Sequence, residues 1–418
     1  MALIRIDEQP REKPREQPRV APPAPPAPPA PPAPRGFALW ALGFRPFYLG
    51  GALFGTAAVL AWLAELDGFP IAALHAYLPG SLWHVHEMIF GFASAIVVGF
   101  LLTAVRAWTS VTPAAGKSLI ALCVLWLAGR VAVACAPAAV AMTVDIAFLP
   151  VSAIVLLRVL VHGQNKHNIF LPAALALLAT TNFAFHFSAA SGHMDWALRS
   201  AYMAVGLLVL FVTIIGGRVI PTFTTNAIPG QTIKKWRFVE ASIMPLTLLP
   251  FVLDGFGVSG PVLAVAAAAA AVVQAMRVIG WRVWHVGNRP ILAILHIAYS
   301  WIAVGFLMLA LAALGVVPHS LAIHAFTVGA VSGAIMAMIT RTARGHTGRP
   351  LVAGAVEKTC YALLVLAALF RALVPALAPQ LTFVAINVSA VCWIIAFGAY
   401  FARYAPWLLR ARIDGKEG

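Results

Sequence analysis

Charged side chains are scarce in this sequence. Of its 418 residues only 10% are charged and 61% are hydrophobic, and the mean hydropathy is +0.88. A soluble chain carries about 25% charged residues. The scarcity of charge therefore argues against a soluble protein and predicts an all-α polytopic membrane protein, with the lipid bilayer as its surroundings.

Cysteine is also rare, and its spacing argues against several kinds of site. The sequence has no CxxCH motif, so covalent attachment of a c-type haem is not expected. The four cysteines lie in apolar segments without CxxC spacing, which predicts packing residues and neither a disulfide frame nor a thiolate metal site. They are Cys123, Cys135, Cys360 and Cys392.

Acidic residues are about half as frequent as basic ones. The chain has 14 Asp and Glu against 29 Lys and Arg, which gives a formal net charge of +15. Basic residues between apolar spans set the orientation of a membrane protein. The positive charge is therefore assigned to the membrane, and no nucleic acid partner is predicted.

The N-terminus lacks the apolar core of a signal peptide. Residues 1–20 mix basic and acidic side chains. Residues 21–34 repeat Ala-Pro-Pro, a pattern that favours polyproline II and a solvated spacer. The composition predicts a disordered cytoplasmic tail over residues 1–35 and a membrane domain over residues 36–418.

Apolar runs of about 17–25 residues predict transmembrane helices. The loops after every second run carry several Lys and Arg, and the intervening loops carry almost none apart from Arg199. Because basic loops stay in the cytoplasm, both termini are predicted to be cytoplasmic. The twelve predicted helices cover residues 47–66, 82–105, 118–136, 139–160, 168–190, 197–220, 238–254, 258–280, 290–314, 319–341, 356–375 and 381–405.

This topology gathers seven of the twelve histidines near the outer membrane face. Ionisable side chains in a membrane are costly, and they usually pair with one another or bind something. A layer of histidines from distant segments predicts a metal or haem site near the outer surface. The seven are His75, His84, His86, His186, His193, His319 and His324.

The second predicted helix opens with residues 83–88, WHVHEM. His84 and His86 are two positions apart, about 200° around a helix, so they would serve two sites on opposite flanks. The glutamate and methionine one turn after His84 share its face. Glu87 would then be a ligand or the partner of a ligating histidine. The alternative role for Glu87 is a salt bridge to Arg130.

The other candidate ligand residues have simpler explanations than ligand binding. His319 follows Pro318 and would cap a helix or face water. His186 shares a face with Asn182 and would form only a hydrogen bond between helices. Arg130 is included because haem propionates need cations. The predicted metal ligands are His84, His86, His186, His319 and His324, and the predicted cofactor-binding residues are His84, His86, His324, Glu87 and Arg130.

Several long motifs resemble those of the NnrS family. The resemblance extends from about residue 36 to the C-terminus, and the motifs follow the same order along the chain. They are residues 43–47 (GFRPF), 83–92 (WHVHEMIFGF), 217–224 (GRVIPTFT), 324–329 (HAFTVG) and 341–351 (RTARGHTGRPL).

The resemblance implies a bacterial inner-membrane protein linked to denitrification and the nitric oxide stress response. It further implies haem and copper as cofactors. The family's histidines match His84, His86 and His324 of this chain, and His346 belongs to a motif on the cytoplasmic side. The electron donor, if one exists, is left open.

An analogy with the haem-copper oxidase catalytic subunit predicts three four-helix arcs. That protein also has twelve helices and takes haem ligands from its second and tenth. Here those helices carry His84, His86, His319 and His324, whereas the sixth and seventh carry no histidine. The analogy therefore supports haem more strongly than oxidase-type copper chemistry.

Two functions follow as hypotheses. The first is a haem protein that binds or turns over nitric oxide, with haem held by outer-side histidines of helices 2 and 10. The alternative is a transporter or exporter that uses Glu87, Asp145 and the outer histidines as a proton or metal path.

Overall fold

The computed structural model describes residues 36–69, 71 and 76–416. Within these residues the chain forms twelve helices long and apolar enough to cross a membrane, and no strand. The predicted all-α membrane architecture and its count of twelve are therefore confirmed. The Ala-Pro-Pro tail and His75 lie outside the described residues.

The helices are numbered here α1 to α12 in chain order, each including any short 3₁₀ or π-helical part. Their bounds lie within a few residues of the predicted ones at most ends. They are α1 Phe44–Leu66, α2 Gly80–Thr109, α3 Lys117–Cys135, α4 Ala138–His162, α5 Lys166–Ala190, α6 Met194–Ala227, α7 Arg237–Gly255, α8 Pro261–His285, α9 Pro290–Ala313, α10 His319–His346, α11 Ala355–Leu377 and α12 Pro379–Leu409.

The clearest difference from the predicted bounds is at the end of α6. The sixth helix was predicted to end at residue 220, just before Pro221, but the helix continues to Ala227 with Pro221 inside it. Proline is tolerated within membrane helices because neighbouring side chains satisfy the freed backbone groups. The backbone group that Pro221 frees is the carbonyl of Gly217, one turn earlier, because proline has no N–H to donate to it.

The first and last helices pack against each other, and α2 and α10 lie inside the bundle. In their most apolar windows α2 is 78% buried and α10 is 72% buried, against 33% for α7. The long helix α6 contacts both. These two interior helices are the ones that carry most of the histidine candidates. The three-arc arrangement stays a prediction.

Three helices contain a π-helical segment in the described part of the chain. The segments are Glu87–Ala93 in α2, Ala325–Ser332 in α10 and Leu369–Leu373 in α11. A π-helical turn is rare, occurs often at functional sites, and rotates the side chains that follow it relative to an α-helix. All three segments border the same cavity.

Candidate cofactor and metal sites

A cavity lies between α1, α2, α6, α10, α11 and α12. The space between these helices, counted together with the part that is open to solvent, is about 910 Å³. Its wall is mostly apolar. The side chains in it that could bind a metal or an anion are His84 from α2, His324 from α10 and Arg371 from α11.

His84 presents an imidazole with an unused nitrogen. Its ring stacks on Trp62 of α1, with centroids 4.3 Å apart and planes inclined by 25°. Its Nδ1 is buried and has no hydrogen-bond partner among the described residues. A buried polar atom without a partner is uncommon and needs an explanation. A ligand in the cavity would supply one.

His324 is oriented as ligating histidines usually are. Its Nδ1 lies 2.7 Å from the carbonyl oxygen of Ser320. A carbonyl only accepts, so Nδ1 must carry the proton, and the neutral ring keeps its lone pair on Nε2. Metal-bound histidines commonly donate their other N–H to a carbonyl in this way. His324 is therefore prepared to act as a ligand.

Arg371 places a positive charge beside the two histidines. It lies in the π-helical segment of α11 and interacts electrostatically with both His84 and His324. Among the described residues it makes no ion pair. An unpaired guanidinium in a cavity wall is suited to a carboxylate of a bound molecule.

A second group of polar side chains lies on the opposite flank of α2. Arg130 of α3 donates to Oε2 of Glu87 at 2.6 Å and also forms an ion pair with Asp145 of α4. All three side chains are buried, with exposures of 5%, 1% and 2%. The guanidinium thus neutralises one of two buried carboxylates.

Two histidines complete this buried cluster. Nε2 of His86 lies 3.2 Å from Oδ2 of Asp145, and Nε2 of His186 lies 3.0 Å from the same oxygen. Asn182 donates to that oxygen at 2.7 Å. The hydroxyl of Tyr77 forms a hydrogen bond with Nδ1 of His186. Helices α2, α4 and α5 are joined through this one carboxylate.

The cluster contains a group that could hold a metal ion. One ligand atom each from His86, Asp145 and His186 lie within 4.8 Å of one another. Two carboxylates against one guanidinium leave one negative charge in a buried place, and either a metal ion or a proton on His86, whose two ring nitrogens each lie beside a carboxylate, would compensate it. Imidazole and carboxylate ligands together suit zinc, copper or iron. The geometry and the charge both favour a cation at this position.

The structure separates the predicted site residues into two places. His84 and His324 line the cavity. The buried polar cluster on the other flank of α2 contains His86, His186, Glu87 and Arg130. The prediction that His84 and His86 serve opposite flanks of the second helix matches this placement.

The predicted position of Glu87 differs from the structure. It was expected on the face of His84, but its carboxylate lies beside His86, with Oε1 3.0 Å from Nδ1. The reason is electrostatic, since a buried carboxylate must lie near a cation and Arg130 is on that side. The salt bridge to Arg130, which was the alternative, is the arrangement found.

His319 lies apart from both places. Its Nε2 is 3.0 Å from each carboxylate oxygen of Asp254, and its ring is 4.7 Å from that of Tyr202. Tyr202 lines the cavity, so His319 lies behind a wall residue. Its contacts are those of a structural histidine at the start of a helix.

Sequence patterns did not reveal several contributors to the two places. Trp62 and Tyr77 lie in other segments, and no spacing connects them with the histidines they contact. No sequence pattern indicated the π-helical segments. Only the approach of distant helices brings these residues to the site.

Fold and site together define a polytopic α-helical membrane protein with a two-histidine cavity and a buried His/Asp/His group. The sequence profile of the family described as NnrS protein matches residues 38–412, nearly the whole chain. The chain therefore belongs to the NnrS family. No match was found among curated proteins.

Proposed function

We propose that this protein is a haem-binding inner-membrane protein that binds or turns over nitric oxide. The observation that carries the proposal is that His84 of α2 and His324 of α10 line one cavity. We further propose the bacterial cytoplasmic membrane as its location, with both termini in the cytoplasm, from the distribution of Lys and Arg.

The residues of the cavity fit a haem. His84 and His324 would offer imidazole nitrogens to the iron, and Arg371 would pair with a propionate. The apolar remainder of the wall would exclude water from the porphyrin. Haem iron that is bound through only one of these histidines would supply a free coordination position at which a small gas such as nitric oxide could be held.

A second cavity suits the passage of an apolar gas. Its wall is apolar apart from the side chains of Tyr48 and Tyr299. Leu208 and Val331 line both cavities, so the two are neighbours. A gas dissolved in the lipid tails could pass through apolar surroundings to the histidines.

The test is an ultraviolet-visible spectrum of the purified protein. We expect a Soret band that shifts on reduction and on addition of nitric oxide. Replacing either ligand candidate, in His84→Ala or His324→Ala, should abolish or shift the band. His319→Ala is the matched control, because its ring pairs with Asp254 behind the wall. Wild-type protein without a Soret band, or a band that both variants leave unchanged, would refute the proposal.

We propose the His86–Asp145–His186 group as a metal site, with copper as the ion that the family resemblance favours. The supporting observation is the buried negative charge beside two imidazole nitrogens. In the transporter hypothesis Glu87 and Asp145 would form a path. Both carboxylates are instead paired with Arg130, so no observation favours transport.

Metal analysis of the purified protein tests this second site. His186→Ala should lower the bound metal content and leave the Soret band unchanged, because His186 does not line the cavity. His193→Ala, in the loop that follows α5, is the control and should retain the metal. Equal metal content in wild type and His186→Ala would contradict the assignment.

A further inference from the structure

Three arginines surround Trp407 near the end of α12. The guanidinium carbons lie over its ring, at 4.2 Å from the centroid for Arg349, 4.6 Å for Arg403 and 5.5 Å for Arg344. All three distances are within the range of about 6 Å for cation–π contacts. We call these four residues the Trp407 cluster.

The cluster has more positive charge than its neighbours compensate. Glu357 is the acid in contact with it, and its Oε1 accepts from Arg344 at 2.6 Å and from the hydroxyl of Tyr404 at 2.7 Å. Arg349 and Arg403 have no ion pair with any described residue. With three guanidinium groups and one carboxylate, the local charge is +2 (three minus one).

Repulsion between the guanidinium groups affects the pKa of Arg349. Burial, together with the charges of Arg344 and Arg403, lowers the pKa of Arg349 from its ordinary value. Like charges held together raise the local positive potential, and a bound anion lowers it. The crowding is therefore unfavourable unless an anion is present.

The cluster lies near one end of α12, a helix long and apolar enough to cross a membrane, and part of it is on the exposed surface of that helix. Arg403 is exposed on α12, as are its neighbours Ala402 and Pro406. Tryptophan is enriched at the boundary between lipid and water. The same end of the bundle carries both described termini, because the amide of Ala411 donates to the carbonyl of Gly36 at 3.1 Å.

We propose that the Trp407 cluster binds the phosphate of an anionic phospholipid headgroup. Guanidinium groups match phosphate oxygens in charge and in bidentate geometry. Basic pockets between membrane helices bind anionic headgroups on this side of other membrane proteins. The exposed position of Arg403 favours a lipid over a free phosphate, since the lipid's acyl chains can lie along α12.

The experiment uses the full-length protein in detergent. Phosphatidylglycerol, phosphatidylcholine with the same acyl chains, and inorganic phosphate are added separately, and thermal unfolding and bound lipid are measured. We expect phosphatidylglycerol to raise the unfolding midpoint more than phosphatidylcholine does. Arg349→Gln and Arg403→Gln should each weaken phosphatidylglycerol binding about fivefold, the effect of one cation near an anionic surface.

Arg158→Gln is the matched control, since Arg158 is also exposed near one end of a membrane helix. It should keep the preference for phosphatidylglycerol. If the variants lose stability equally in both lipids, the cluster is only structural and the proposal fails. It also fails if inorganic phosphate stabilises the protein as well as phosphatidylglycerol does.

Discussion

At the scale of single residues, Arg130 compensates buried negative charge in the described interior. It contacts both buried carboxylates, Glu87 and Asp145. Removing one partner of a buried ion pair leaves an uncompensated charge, which costs far more than an exposed pair is worth. The two histidines of the cluster depend on this arrangement, because they contact the same carboxylates.

Replacing Arg130 by methionine should therefore destabilise the protein strongly. We expect a loss of about 3–5 kcal/mol in the free energy of unfolding, measured by denaturation of the purified protein in detergent. Arg158→Met, an exposed position, should change it by less than about 0.5 kcal/mol.

A triple variant separates charge from packing. Arg130→Met combined with Glu87→Gln and Asp145→Asn removes both carboxylate charges, so part of the lost stability should return. If the triple variant is no more stable than Arg130→Met alone, charge compensation is not the reason for the loss.

At the scale of helices, the π-helical segments of α2 and α10 depend on glycine. A Cβ at Gly91 would lie 2.7 Å from both Arg130 and Phe54, and one at Gly329 would lie 2.5 Å from the ring of Trp301. The absent side chain lets neighbouring helices approach. Close approach of this kind is a common use of small residues between membrane helices.

Alanine at either position should disturb packing. Gly91→Ala and Gly329→Ala are each expected to cost about 1–3 kcal/mol, as overpacking does. Gly398→Ala is the control, since its Cβ would meet Thr56 only at 3.7 Å. It should be neutral or stabilise by about 0.5–1 kcal/mol, because alanine favours a helix. Equal unfolding midpoints for all three variants would contradict this role of the two glycines.

At the scale of the whole molecule, the described ends of the chain meet on one side. The amide of Ala38 donates to the carbonyl of Leu409 at 2.9 Å, and Phe37 pairs with Arg410. Twelve membrane crossings, an even number, also place the two described ends of the chain on the same side of the membrane. We propose from the basic loops that this side is the cytoplasmic one.

Reporter fusions test this orientation. A fluorescent protein joined to the C-terminus should be fluorescent, because it folds in the cytoplasm. Alkaline phosphatase inserted after Ser191, in the loop between α5 and α6, should be active, because it requires the outer side. An active phosphatase at the C-terminus would reverse the topology and place the two-histidine cavity near the inner face.

Much of the architecture could be predicted without a structure. The twelve helices follow from local composition, because a bilayer requires about 20 apolar residues per crossing and satisfies backbone groups only within helices. The separation of His84 from His86 follows from helical geometry alone. Both depend on residues close together in the chain.

Which residues lie together in each of the two sites depends on the tertiary structure. The shared cavity of His84 and His324, the direction of Glu87 toward Arg130, and the position of Arg371 all depend on which helices meet. The π-helical segments change the direction of side chains that an ideal helix would place elsewhere. The sequence by itself determined the twelve crossings and the candidate histidines. Only contacts between distant helices decided which histidines share a cavity, because packing and charge compensation act across the bundle.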